Sequence, residues 1–140
     1  MDRAGVLEWL ERYVEAWRTY DARQIGELFT AHAEYRYHPY DQGDEVIRGR
    51  EAIIAAWVDG VPDGVASGRD EPGTYEARYE PYAVEGDRAV AVGWSRYWTD
   101  AARREEADAF DNVFLLRFDD RGQCAEFTEF FVRRPTRPGP

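Results

Sequence analysis

The chain runs to 140 residues with 28 acidic and 18 basic side chains, a formal net charge of −10, and every basic residue is Arg. That length suits one domain around one core; the acidity leaves no basic stripe for nucleic acid or an anionic membrane, and the lack of Lys excludes a Schiff-base nucleophile. The lone Cys124 excludes an internal disulfide and, with no apolar run of membrane-spanning length, a soluble cytoplasmic protein is expected.

Residues 4 to 20 place Val6, Leu10, Tyr13, Val14 and Trp17 at steps of three and four, which predicts an amphipathic helix. Asp21 then caps a second helix, Ala22 to Phe29, that buries Ile25, Leu28 and Phe29. Residues 33 to 38 alternate with period two and end at Pro39, a short strand leading into the polar loop Asp41 to Arg48. Gly49 precedes a third helix, Arg50 to Val58, with Ile53, Ile54 and Trp57 inward; residues 59 to 73, rich in Gly, Asp and Pro, read as a mobile connection or lid. The period then changes to two. Thr74 to Val84, Ala89 to Thr99, Glu106 to Phe118 and Cys124 to Arg133 read as four long strands in an antiparallel meander, with a frayed tail after residue 134.

Aromatic side chains form 15% of the chain, with five Trp, nine Tyr and seven Phe, more than a minimal core requires and suited to an aromatic-lined pocket for a flat ligand. Within the run Phe110 to Phe118, Asp111 and Asn112 interrupt an otherwise apolar strand. An ionised acid out of water is costly unless paired, hydrogen-bonded or neutralised, so Asp111 points to a polar group held in an apolar pocket. Val113 and Leu115 share its face of the strand, and Phe110, Asn112, Phe114, Leu116 and Phe118 take the other; both faces are largely apolar.

Helices followed by a strand meander make an α+β layout, a curved sheet folded over three helices. On Arg12-Tyr13-Val14, Asp21 to Phe29, Tyr37-His38-Pro39, Gly49 to Trp57 and Phe110-Asp111-Asn112, the chain resembles the nuclear transport factor 2-like superfamily, and within it the SnoaL-like polyketide cyclases and ketosteroid isomerases. The resemblance spans essentially the whole domain, residues 1 to 134, and implies three N-terminal helices in the concave face of a strongly curved, mostly antiparallel sheet, a cone-shaped α+β barrel. It also implies sheet-to-sheet homodimers, for which the outward set is expected to be Phe114, Leu116, Phe118, Phe130 and Val132.

The resemblance puts Phe127, Glu129 and Phe131 on the concave face with Asp111, and Val92, Trp94, Arg96 and Trp98 beside them. In ketosteroid isomerases a carboxylate base stands where this chain has His38, while Tyr13 and Asp111 match the two groups that stabilise an oxyanion. Carried over, His38 moves the proton, Tyr13 and Asp111 donate to an enolate oxygen, and Arg96 and Glu129 bind the substrate among Trp17, Tyr37, Trp57, Trp94, Trp98, Phe127 and Phe131. The implied function is a cofactor-independent acid/base enzyme, an isomerase, cyclase or dehydratase, acting on a hydrophobic polyketide- or steroid-like molecule. A non-catalytic small-molecule binder and an epoxide hydrolase using Asp111, Arg96 and Glu129 are the alternatives. Structural readings compete throughout: Asp111 as an ion pair with Arg96, His38 as a hydrogen-bonded strand end, Tyr13 and the tryptophans as core. Only His32 and His38 are present, without a Cys cluster, a phosphate loop or a GxSxG elbow, so neither metal nor cofactor is expected.

Overall fold

A computed structural model describes residues 1–60 and 73–135. Three helices, α1 (Arg3–Thr19), α2 (Ala22–Leu28) and α3 (Arg50–Asp59), accompany six strands: β1 (Phe29–Arg36), β2 (Ile47–Arg48), β3 (Tyr75–Glu85), β4 (Arg88–Trp98), β5 (Glu106–Phe118) and β6 (Cys124–Arg133). Asp2 caps α1 by accepting from Gly5 N at 2.8 Å, and Asp21 caps α2 by accepting from Gln24 N at 3.0 Å, which satisfies backbone donors that the first turns leave free. α1 ends at Tyr20, which takes a left-handed conformation with φ 51°. The face of α1 carrying Val6, Trp9, Leu10, Tyr13 and Val14 is buried against the sheet.

The strands form one mixed sheet in the order β2-β1-β6-β5-β4-β3, with β2 and β3 as open edges, so the cone is not a closed barrel. All neighbours are antiparallel except β1 and β6, which run parallel because the last strand returns between β5 and the strand that followed the first two helices. β1 starts four residues before the alternation suggests, directly from α2, and β2 lies inside the loop read as irregular. The segment read as a lid falls mostly outside the described residues, as does the end of the tail.

The concave face carries Tyr35 of β1, Phe127 of β6, Phe114, Leu116 and Phe118 of β5, Ala91 of β4, and Tyr75, Ala77 and Tyr79 of β3, all buried against the helices. Phe114, Leu116 and Phe118 are therefore core, and the outward apolar set is instead Leu115, Phe130 and Val132 with half-buried Val113. Among the described residues no helix is long and apolar enough to cross a membrane.

Candidate active site

Three side chains from neighbouring strands form a polar line across the concave face. Ser95 of β4 donates its hydroxyl to Asn112 Oδ1 at 3.1 Å, and Asn112 of β5 donates its amide Nδ2 to Glu129 Oε1 of β6 at 2.9 Å. The two bonds fix the amide's orientation, because the serine occupies its acceptor and the carboxyl its donor. Ser95 and Asn112 are buried. Burial pushes the Glu129 pKa up to about 7, against the pull of the Asn112 bond. Such a carboxyl holds or releases a proton near neutrality.

Aromatic rings flank the polar line on both sides. On the inner side Tyr35, Phe127, Phe114 and Tyr79 follow one another from β1 to β3, with centroids 4.4, 4.8 and 4.6 Å apart. Toward the strand ends His38, Phe131, Phe110, Tyr97 and Tyr75 form a second chain, at 5.4, 5.6, 6.0 and 5.4 Å. The helices close the inner side: Tyr13 stacks on Phe127 at 5.5 Å and meets Trp57 edge-on at 5.4 Å. Burial, neighbouring tyrosine hydroxyls and the Glu129 charge together raise the pKa of Tyr13, Tyr35, Tyr75 and Tyr79 well above the usual tyrosine value. Tyr37 moves the same way, through burial first and then Glu129. These hydroxyls are therefore donors at neutral pH.

His38 sits in the turn after β1. Its ring Nδ1 lies 3.2 Å from Asp41 Oδ1, while its backbone N–H donates to Asp41 Oδ2 at 3.1 Å. Asp41 is buried. With Nδ1–H directed at that carboxylate, Nε2 is left as the ring's lone-pair acceptor. The ring stacks on exposed Tyr40 at 4.9 Å and leans on Phe131 at 5.4 Å. Phe131 is the next inward residue of β6 after Glu129, so the imidazole stands at the rim of the polar line.

Of the residues expected to line the site, Tyr13, Trp17, Tyr37, Trp57, Phe127, Glu129, Phe131 and His38 belong to this region. Asp111 does not. It lies on the outer face, exposed, where Arg134 donates to it from Nη2 at 2.7 Å and Nε at 2.9 Å, and the bond to that guanidinium lowers its pKa. The reason is the even-numbered face of β5: turning Asp111 inward would expel Phe110, Phe114, Leu116 and Phe118, at roughly 1.5–3 kcal/mol per large side chain. β4 is reversed for the same reason. Its cross-strand partners place Trp94 opposite Asp111 and Arg96 opposite Ala109, so Trp94, Arg96 and Trp98 face outward. There Arg96 lies over the Trp94 ring at 4.9 Å and Arg103 over Trp98 at 4.3 Å. The Asp111, Arg96 and Glu129 set that an epoxide hydrolase would need is thus split across the sheet.

Asn112, Ser95 and Asp41 were not anticipated as site residues. Asn112 was legible in principle, since it alternates with the four large residues that make the strongest core face of the strand. Asp41, three residues after His38, fits a turn in which a carboxylate accepts from the preceding backbone and ring. Ser95 had no signal beyond alternation. Among the described residues no three His, Cys, Asp or Glu side chains converge as a metal site would require.

A comparison with curated proteins gives no match. Among solved structures the fold is similar to a nuclear transport factor 2-like protein of unknown function from Burkholderia xenovorans LB400, at TM-score 0.63 and 18% identity over 97% of this chain and 89% of that one. It is also similar to a nuclear transport factor 2-like protein of unknown function from Mesorhizobium loti, at TM-score 0.59 and 22% identity over 94% of this chain and 95% of that one. The SnoaL-like domain model matches residues 10–127, and with that span the chain belongs to the SnoaL-like domain family of the nuclear transport factor 2-like superfamily.

Proposed function

We propose that the protein is a cofactor-independent acid/base enzyme that moves a proton beside a carbonyl of a hydrophobic, polyketide- or steroid-like molecule held on the concave face. The observation that carries this reading is the Glu129 carboxyl, raised to about 7 and held by Asn112 between two belts of rings. His38 takes the proton from carbon through Nε2, with Asp41 holding the ring. The C–H pair flows to the carbonyl oxygen, and protonated Glu129 donates to that oxygen, since Asn112 already occupies Oε1 and leaves Oε2 for the acid proton. Glu129 thereby takes the neutral-donor role that the resemblance implies for Asp111. Tyr13, its hydroxyl kept neutral by burial and near enough to feel the Glu129 charge, supports that donor. Return of the proton to a second carbon completes isomerisation; loss of hydroxide or attack of the enolate on a second carbonyl gives dehydration or cyclisation.

Deuterium exchange beside the carbonyl of 2-tetralone in heavy water tests the proton step without a known substrate. His38→Ala and Glu129→Gln are expected to slow exchange by about 10²–10⁴-fold at unchanged folding. The competing reading, a non-catalytic binder, is favoured by the aromatic lining, which suits a flat ligand without any proton step; it predicts binding of the ketone with no exchange above buffer in the wild-type protein. We also propose that the outer sheet face pairs with a second copy of the chain.

A further inference from the structure

Four Trp and Tyr side chains meet where the end of α1, the end of β1 and α3 converge. Trp17 and Trp57 stack with centroids 4.0 Å apart and planes at 16°; Trp57 meets Tyr35 at 6.0 Å, and Tyr35 meets Tyr37 at 4.9 Å. The indole Nε1 atoms of Trp17 and Trp57 and the hydroxyls of Tyr35 and Tyr37 are buried without a hydrogen-bond partner among the described residues. Trp9 shows the ordinary alternative: its Nε1 donates to Leu28 O at 3.0 Å. A buried donor left unpaired costs about 1–3 kcal/mol, and this corner concentrates four on successive rings.

What such donors can bind is narrow. Indole N–H donates only, and the Tyr37 hydroxyl, raised in pKa by burial, donates at neutral pH. The partner is therefore an acceptor oxygen. It is also uncharged, because the groups that hold the arginines nearest in sequence are elsewhere: Arg50 donates to Phe29 O, Arg36 pairs with Glu34, and Arg18 pairs with Glu15.

We propose that Trp17, Tyr37 and Trp57 form a recognition corner for a second, neutral oxygen of the ligand, an ether, quinone or ketone oxygen remote from the reacting carbonyl. This rests on the reading that the concave face holds a small molecule, and it adds which oxygen pattern that molecule carries.

The test compares 6-methoxy-2-tetralone with 6-ethyl-2-tetralone, which differ by an ether oxygen in place of a methylene, by calorimetric titration. The wild-type protein is expected to bind the methoxy compound at least about 5-fold more tightly, the equivalent of one net hydrogen bond. Tyr37→Phe, Trp17→Phe and Trp57→Phe each reduce that preference, and Tyr37→Phe keeps the ring. Because both ligands are measured on the same variant, packing losses cancel in the ratio. Equal affinities in the wild-type protein, or a preference that survives all three substitutions, overturn the corner. No binding of either compound overturns the concave-face reading itself, whereas an intact preference without deuterium exchange overturns only the catalytic role.

Discussion

Glu129 is a carboxyl whose surroundings favour its neutral form. In the fold it keeps its proton to about pH 7, against an ordinary value of 4.5, with burial as the main cause and the Asn112 bond opposing it. Between those two values the folded chain binds more protons than the unfolded chain, so its stability falls as pH rises. The contribution is fully present below the unfolded value and is lost by the time pH passes the folded one; its size is on the order of 3 kcal/mol. Glu129→Gln keeps the Asn112 contact and removes the titration. Urea unfolding at pH 5 and pH 8 should therefore show the wild-type protein losing stability relative to Glu129→Gln as pH rises, and a pH-independent difference would mean that the carboxyl is well solvated. Asp111 stands in the opposite condition: exposed and bonded twice by Arg134, it stays ionised across that range.

At the scale of the strands, β3 and β4 approach unusually closely at Gly93. A Cβ there would stand 2.0 Å from Arg78 O and 2.8 Å from Tyr79 Cα, both backbone atoms, and 2.5 Å from Tyr79 Cδ1. The strands would have to part, which would also shift Tyr79 off Phe114 in the inner ring belt. Gly93→Ala is expected to destabilise the protein by about 1–3 kcal/mol, as overpacked cores do, and a denaturation midpoint equal to wild type would show that the strands can separate freely. The same strands show what the sequence could convey. Period-two alternation located β3 to β6 to within a residue or two, because strand ends coincide with the turns at Gly86 and Gly122. Alternation does not say which face is inside when both are apolar, and both the apolar run around residue 111 and its match to an oxyanion-stabilising position favour an inward acid. Volume decided otherwise, since Phe110, Phe114, Leu116 and Phe118 outweigh Val113 and Leu115. β2, two residues long and paired only at Glu34 with Arg48 and Tyr35 with Ile47, is too short to leave a periodic signal.

For the whole molecule, reversing β4 and β5 changes which surface faces a partner. Cross-strand pairs put Val92 beside Val113 and Val113 beside Phe130, and Trp94 beside Asp111 and Asp111 beside Val132, so a continuous apolar surface runs over three strands of the outer face. Leu115, Phe130 and Val132 are exposed on it, Val132 at 70%. Asp111 lies amid this surface, and its two bonds to Arg134 neutralise a charge that would otherwise oppose burial. A chain of net charge −10 repels its own copies, so pairing needs an apolar face with little net charge of its own, and this is such a face. The wild-type protein is expected to sediment as a dimer at micromolar concentration. Phe130→Glu with Val132→Glu places two acids on each copy of the face and should give monomers that still fold, because neither side chain belongs to the core. A wild-type protein that sediments only as monomer would remove the interface, and a double variant that remains dimeric would move it to another surface.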